Sequence, residues 1–261
     1  MADVIWRLER GEGPVVATAI HDGHEVRAEV LRHMVVDEAA RLREEDPFTG
    51  RWTAIAPTRV VGLRSRFEVD LNRRRDTAVY RTPEDAWGLE VWRDDLPDDI
   101  VERSLRGYDA FYSALDELYR ALAGRYGRFL VLDLHSYNHR RDGMARPPLD
   151  PRKNPQVNVG TGTMSDRGRW ARLIERFMDD LAAYDFPGGR LDVRENVRFR
   201  GGASAAWTHR AFPDEACVLS LEVKKFFMDE WTGELDAALF DAVGKALGAA
   251  LAGALAELER A

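Results

Sequence analysis

The run Leu130-Val131-Leu132-Asp133-Leu134-His135-Ser136 constrains the fold most. It is apolar as far as Leu132 and ends in Asp-Leu-His-Ser, so it reads as a buried strand that delivers a histidine at its carboxyl end. Sheets of the α/β class bind ligands at that end. A second apolar run, Val15-Val16-Ala17-Thr18-Ala19-Ile20, is followed by His21 and His24. Two strand ends that each present imidazole point to a metal site, because neutral imidazole is a common metal ligand.

The rest of the chain alternates strand-like and helix-like stretches. Residues 25–44 place Val26, Val30, Met34, Ala39 and Leu42 at helical spacing. Residues 96–126 are long and amphipathic, with Pro97 and acidic residues at the start of the helix. Residues 169–184 read as a helix ended by Phe186-Pro187-Gly188-Gly189, and 233–260 as an alanine-rich terminal helix. Short strands are expected at 15–20, 53–61, 67–71, 129–134, 156–159, 191–196 and 216–222. Strands separated by helices indicate a layered α/β domain, and strands joined without helices indicate a mixed sheet. No composition break divides residues 1–261, which are expected to form one domain. Residues 139–155 are rich in Arg, Pro, Asp and Gly and follow His135 directly, so they read as a mobile loop beside the site.

Composition removes several classes. The lone cysteine, Cys217, excludes a disulfide framework or a thiolate zinc site within the chain. A formal net charge of −7 weighs against a broad nucleic-acid surface, while local arginine clusters remain suited to small anions. No apolar run approaches the roughly 18 residues of a membrane span, and no signal-peptide pattern opens the chain, so the expected location is the cytoplasm.

A hydrolytic zinc site uses three protein ligands and keeps a fourth position for water, whose pKa falls to about 7. His21 and His135 are the imidazole candidates. The carboxylate is sought in Glu44-Glu45-Asp46, and His24 is the rival third ligand. Asp133, two residues before His135, shares its strand face and either orients it or ligates. His33 and His139 read as surface residues. Glu222 ends the apolar run Leu219-Ser220-Leu221 and suits a general base, or else a strand-edge partner of Lys224 or Lys225. Ser65-Arg66-Phe67-Glu68-Val69-Asp70-Leu71-Asn72-Arg73 alternates polar and apolar residues and then releases Asn72 and Arg73. A guanidinium fork with a neutral donor fits an acidic substrate. Arg200, before the Gly201-Gly202 turn, or His209 would meet a substrate carboxylate or an oxyanion.

The ordered set His21-Asp22-Gly23, Glu45-Asp46, Ser65-Arg66, Asp70-Leu71-Asn72-Arg73, Asp133-Leu134-His135-Ser136, Gly201-Gly202 and Leu221-Glu222 resembles the N-formylglutamate amidohydrolase family. In site design that family is similar to zinc carboxypeptidases and aspartoacylases. The resemblance implies a three-layer α/β/α fold of the phosphorylase/hydrolase-like kind, with a central mixed sheet. It implies one zinc ion bound by His21, Asp46 and His135, with Arg66, Asn72 and Arg73 near the substrate and Glu222 as base. The expected activity is zinc-dependent hydrolysis of a small N-acylated acidic amino acid or related amide. The alternatives are a carboxypeptidase-like zinc peptidase and a non-catalytic ligand-binding protein on the same fold.

Overall fold

A computed structural model describes residues 4–260. Its strands are β1 (Trp6–Glu9), β2 (Val15–Ala19), β3 (Thr58–Gly62), β4 (Phe129–Tyr137), β5 (Val157–Gly160), β6 (Val193–Glu195) and β7 (Ala216–Lys224). They form one sheet in the order β1-β3-β2-β4-β7-β5-β6. β3, β2, β4 and β7 run parallel, whereas β1 and β5 pair antiparallel with their inner neighbours. The sheet is therefore mixed, as expected, and its four parallel strands aim their carboxyl ends at one edge of the molecule.

Alternation along these strands sorts side chains into two layers. Leu130, Leu132 and Leu134 of β4 face a core built with α5 (Ala171–Ala183) and α7 (Ala237–Leu258). Phe129 and Val131 face the opposite core, built with α4 (Asp98–Tyr126) and α6 (Ala203–Ala211). Phe111, Leu115, Leu118, Tyr119 and Leu122 form the buried stripe of α4 at helical spacing. The remaining helices, α1 (Ala28–Leu31), α2 (Glu38–Glu44) and α3 (Thr49–Trp52), are short. The result is the three-layer α/β/α arrangement.

Three expected elements differ. Residues 25–44 are not one helix, because Met34 pairs with Trp92 as an antiparallel bridge and Asp37 then caps a new helix through Ala40 N–H. Pairing and a cap win over helical spacing there. Residues 53–61 begin as a 3₁₀ turn, and the strand starts only after Pro57, which has no N–H for a ladder. Residues 67–71 bury Phe67, Val69 and Leu71 but make turns through Ser65 and Asp70 rather than a strand. The alternation there reported burial, not pairing.

The sequence reading found no stretch fit for a membrane span, yet α7 is long and apolar enough by length and composition. Half of its apolar window is buried inside the domain, where Phe240, Val243, Leu247, Leu251 and Ala254 pack against the sheet. Core packing accounts for its hydropathy.

Candidate active site and metal centre

At the carboxyl ends of the central strands, the face under α4 turns from apolar to polar. On β4, Val131 is followed on that face by Asp133 and His135; on β7, Val218 is followed by Ser220 and Glu222. Register places Thr18 beside Asp133, Asp133 beside Ser220, and His135 beside Glu222. One buried polar row therefore supports a second row that carries the titratable groups. Thr18 Oγ1 donates to Asp133 Oδ1 over 2.7 Å, and Asp133 Oδ2 lies 3.2 Å from His135 Nε2.

His21 follows β2 and meets Asp70 Oδ1 through Nε2 at 2.7 Å. Its Nδ1 lies 3.4 Å from Asp46 Oδ2, and His135 Nδ1 lies 2.8 Å from the same oxygen. His21, Asp46 and His135 are all buried, and their facing atoms lie within 4.8 Å of one another. Each imidazole thus has one nitrogen held by an outer carboxylate and the other turned inward. A carboxylate that accepts the outer N–H leaves the inner lone pair free for a cation. Two imidazoles, one carboxylate and a supporting carboxylate behind each ring fit a zinc ion with a position to spare.

The electrostatics agree with that fit. Burial opposes ionisation of Asp46, but His135 and His21 outweigh it and hold its pKa well below the usual carboxylate range. Burial likewise opposes charge on His135, and Asp133 and Asp46 reverse this, raising its pKa well above the ordinary imidazole value. A field that favours positive charge at this point favours a metal cation there too.

The two rival ligands are accounted for. Glu45 is fully buried, but it accepts from Ser65 Oγ and pairs with His24 Nδ1. They hold each other outside the His21–Asp46–His135 cluster. Gly23 lets that loop lie on the end of β3, since a Cβ there would sit 2.3 Å from the Leu63 carbonyl carbon. Lys225 is also buried and donates through Nζ to the carbonyls of Arg43 and Glu45, at 2.6 and 2.7 Å. It fixes the segment that ends in Asp46. The sequence signal was a lysine in the apolar stretch behind Glu222, read there only as a partner for that glutamate.

Asp70 is the residue whose role sequence reasoning missed. Besides His21, it accepts from Arg66 Nη2 at 2.8 Å, from Asn72 N–H at 2.8 Å and from Tyr80 Oη. Burial opposes its ionisation, but Arg66 and His21 hold its pKa well below the ordinary value. One carboxylate thus locks a metal-ligand candidate to the arginine segment. The visible cue was its place two residues before Asn72, where an aspartate accepts from the backbone two residues on.

His21, Asp46, His135, Glu222, Arg66, Asn72, Arg73 and Arg200 all line one cavity of about 1290 Å³. Glu222 is half-buried there, and burial pushes its carboxyl up to about 7. Arg66 is clamped by Asp70, Tyr80 Oη at 3.1 Å and the Glu44 carbonyl at 3.3 Å, with its guanidinium 4.6 Å over the Trp87 ring. Arg73 is 40% exposed in its side chain and donates through Nη2 to the Asp85 carbonyl at 3.3 Å. Arg200 is exposed at the mouth. Asn72 Nδ2 is 3.3 Å from His135 Nε2, and Asn72 Oδ1 accepts from Ser204 N–H at the start of α6. A Cβ on Gly202 would fall 2.2 Å from Asn72 Oδ1. Gly202→Ala is therefore expected to cost about 1–3 kcal/mol of stability by overpacking and to lower kcat/KM through displaced Asn72. Urea unfolding with steady-state kinetics checks both; unchanged values on both would remove this contact from the site.

His209 does not join the site. It is buried, its Nδ1 meets Thr163 Oγ1 at 2.9 Å, and its Nε2 accepts from Val218 N–H at 3.1 Å. With both nitrogens engaged it pins α6 to β7, which corrects the substrate-binding expectation. Burial lowers its pKa from 6.5 to about 4. The unfolded chain then takes the proton first, so this contribution is intact above pH 6.5 and is lost as pH falls toward 4. The loss amounts to about 3 kcal/mol. His209→Gln should flatten that limb of the stability–pH curve, and a wild-type slope in the variant would contradict the assignment. His139 is not a surface residue either: its side chain is 13% exposed, and Glu230 accepts from the N–H groups of His139 and Arg140. The loop from 139 to 155 is anchored there and, through Tyr137 Oη donating to the Pro155 carbonyl, at its far end.

The sequence model of N-formylglutamate amidohydrolase matches residues 13–227. No curated protein matches the chain in sequence. Among solved structures, an N-formylglutamate amidohydrolase from Ralstonia eutropha JMP134 superimposes with a TM-score of 0.78 at 19% identity, covering 99% of each chain. A gene product from Agrobacterium tumefaciens superimposes with a TM-score of 0.67 at 18% identity, covering 98% of this chain and 96% of its own. These likenesses establish the shared fold, and the family match spans most of the chain. The chain belongs to the N-formylglutamate amidohydrolase family, hydrolases of amide C–N bonds.

Proposed function

We propose that this chain hydrolyses the amide of a small N-acylated acidic amino acid, N-formyl compounds included, with zinc held by His21, Asp46 and His135. The observation that carries the reading is the convergence of those three ligand atoms within 4.8 Å, with Glu222 in register beside His135. Zinc bound there supplies Lewis acidity toward the amide carbonyl and lowers the pKa of water. Glu222 takes the proton released as the water oxygen bonds to the carbonyl carbon. It returns that proton to the amide nitrogen as the C–N bond breaks, giving a carboxylate and an amine. Arg66 faces the charge that develops on the carbonyl oxygen, already oriented by Asp70 and Tyr80. Asn72 and Arg73 hold the α-carboxylate, and Arg200 meets a further anionic group at the mouth.

The test is a hydrolysis screen of N-formyl and N-acetyl amino acids with and without a chelator. Cleavage of the acidic members, abolished by chelator and restored by zinc, is expected. Cleavage untouched by chelator would overturn the metal assignment, and no cleavage of any acidic member would overturn the substrate class.

A further inference from the structure

Asn72 and Arg73 reach the cavity from a backbone that is tied down carbonyl by carbonyl. The Leu71 carbonyl accepts from Tyr112 Oη at 2.7 Å, the Asn72 carbonyl from Ala203 N–H at 3.3 Å, and the Arg73 carbonyl from Tyr108 Oη at 2.9 Å. The N–H groups of Asn72 and Arg73 donate to Asp70 Oδ1 at 2.8 Å and to the Asp70 carbonyl at 3.2 Å. Every backbone polar group from the Leu71 carbonyl to the Arg73 carbonyl thus has a partner. The Asn72 amide is oriented as well: its Oδ1 is taken by Ser204 N–H at 3.0 Å, which turns Nδ2 toward His135.

A turn does not by itself require tyrosine hydroxyls. Water satisfies the carbonyls of an ordinary surface turn, and it lets the peptide planes rock. A carbonyl oxygen that rocked toward a bound carboxylate would repel it, because the peptide dipole carries its negative end there. A fixed donor on each carbonyl removes that freedom. Tyr108 and Tyr112 are suited to fix it. They stand one turn apart on α4, about 6 Å along the axis, so both leave the same face of the helix. Their ring centroids are 4.6 Å apart, and Trp207 of α6 meets Tyr112 edge-on at 5.0 Å. Phe111 and Leu115 beside them are buried in the core, so the two hydroxyls rest on a packed helix rather than on a loop.

We propose that Tyr108 and Tyr112 are positioning residues, whose hydroxyls hold the Asn72–Arg73 turn so that it presents donors, and no carbonyl oxygen, to the α-carboxylate of the substrate. The proposal rests on the amidohydrolase reading above, which places that carboxylate on Asn72 and Arg73. Its test compares N-formylglutamate with N-formylisoglutamine, whose α-carboxamide replaces the α-carboxylate, in wild type, Tyr108→Phe and Tyr112→Phe. Phenylalanine keeps the ring and removes only the hydroxyl. Each variant is expected to raise KM for N-formylglutamate about tenfold, the worth of about one hydrogen bond. The contact is made alike in the ground and transition states, so kcat should change by less than about twofold. KM for N-formylisoglutamine, or Ki where it binds uncleaved, should not rise, because a carboxamide can donate to a freed carbonyl. Either variant alone suffices if the other fails to fold. A purely structural role would lower the thermal midpoint with KM unmoved, or weaken both compounds equally, and either result overturns the proposal while leaving the hydrolase reading intact. If wild type cleaves neither compound, the hydrolase reading fails, and calorimetry with free glutamate decides. Binding about tenfold weaker in the variants then upholds the positioning role. Equal binding, or none to wild type, overturns it.

Discussion

Glu222→Gln is expected to lower kcat on the cleaved amide by about 10³-fold while one metal per chain stays bound. Glutamine keeps the shape of the side chain and its seat on β7 beside His135. It also leaves His21, Asp46 and His135 untouched, so metal content should not change. What it removes is the ability to accept a proton from water and return it to nitrogen. The position suits that task, because the carboxyl reaches the cavity from a strand that is otherwise buried, next to a metal-ligand candidate. The strand-edge alternative, in which Glu222 pairs with Lys225, does not hold. Lys225 is committed to the carbonyls of Arg43 and Glu45. KM should move far less than kcat, since the proton transfers belong to the transition state. A wild-type rate in Glu222→Gln would assign the proton shuttle to another group and end this mechanism.

The legible part of the site was whatever strand periodicity exposes. Asp133 and His135 share a face because they are two residues apart, and Glu222 announces itself by ending an apolar run. The layered α/β class and the mixed sheet followed from the alternation of apolar runs and amphipathic stretches, and the three-layer α/β/α arrangement from the family resemblance. What stayed hidden depends on contacts across long separations. Choosing among Glu45, Asp46 and His24 required knowing that Glu45 turns to Ser65 and His24. His209 carried the right chemistry for a substrate contact, and only its two hydrogen bonds, to Thr163 and Val218, show that it is a strut. Helix α6 was missed because its sequence, Ala203–Ala211, follows two glycines and has almost no apolar stripe. It starts where it does because Asn72, 132 positions earlier, caps it through Ser204 N–H.

His135→Ala should reduce bound zinc from one per chain to near zero and take activity below detection. Three protein groups converge on the metal position, and His135 supplies one of only two nitrogens. Its removal leaves Asp46 and Asp133 facing each other across the vacated ring, with their charges no longer offset by that imidazole. Elemental analysis measures the loss directly. A second readout is thermal: added zinc raises the midpoint of the wild type by binding only the folded state, and that rise should vanish in the variant. Asp133→Asn separates ligation from support. Asparagine retains the hydrogen bond of Thr18 but removes the charge behind the ring, and loss of such an outer partner lowers metal affinity by about 10–100-fold. Asp133→Asn should therefore recover activity at high zinc, whereas His135→Ala should not. Were His135→Ala to keep a full equivalent of zinc, His135 would leave the ligand set, and the buried pair of Asp46 and His135 would be a structural contact alone.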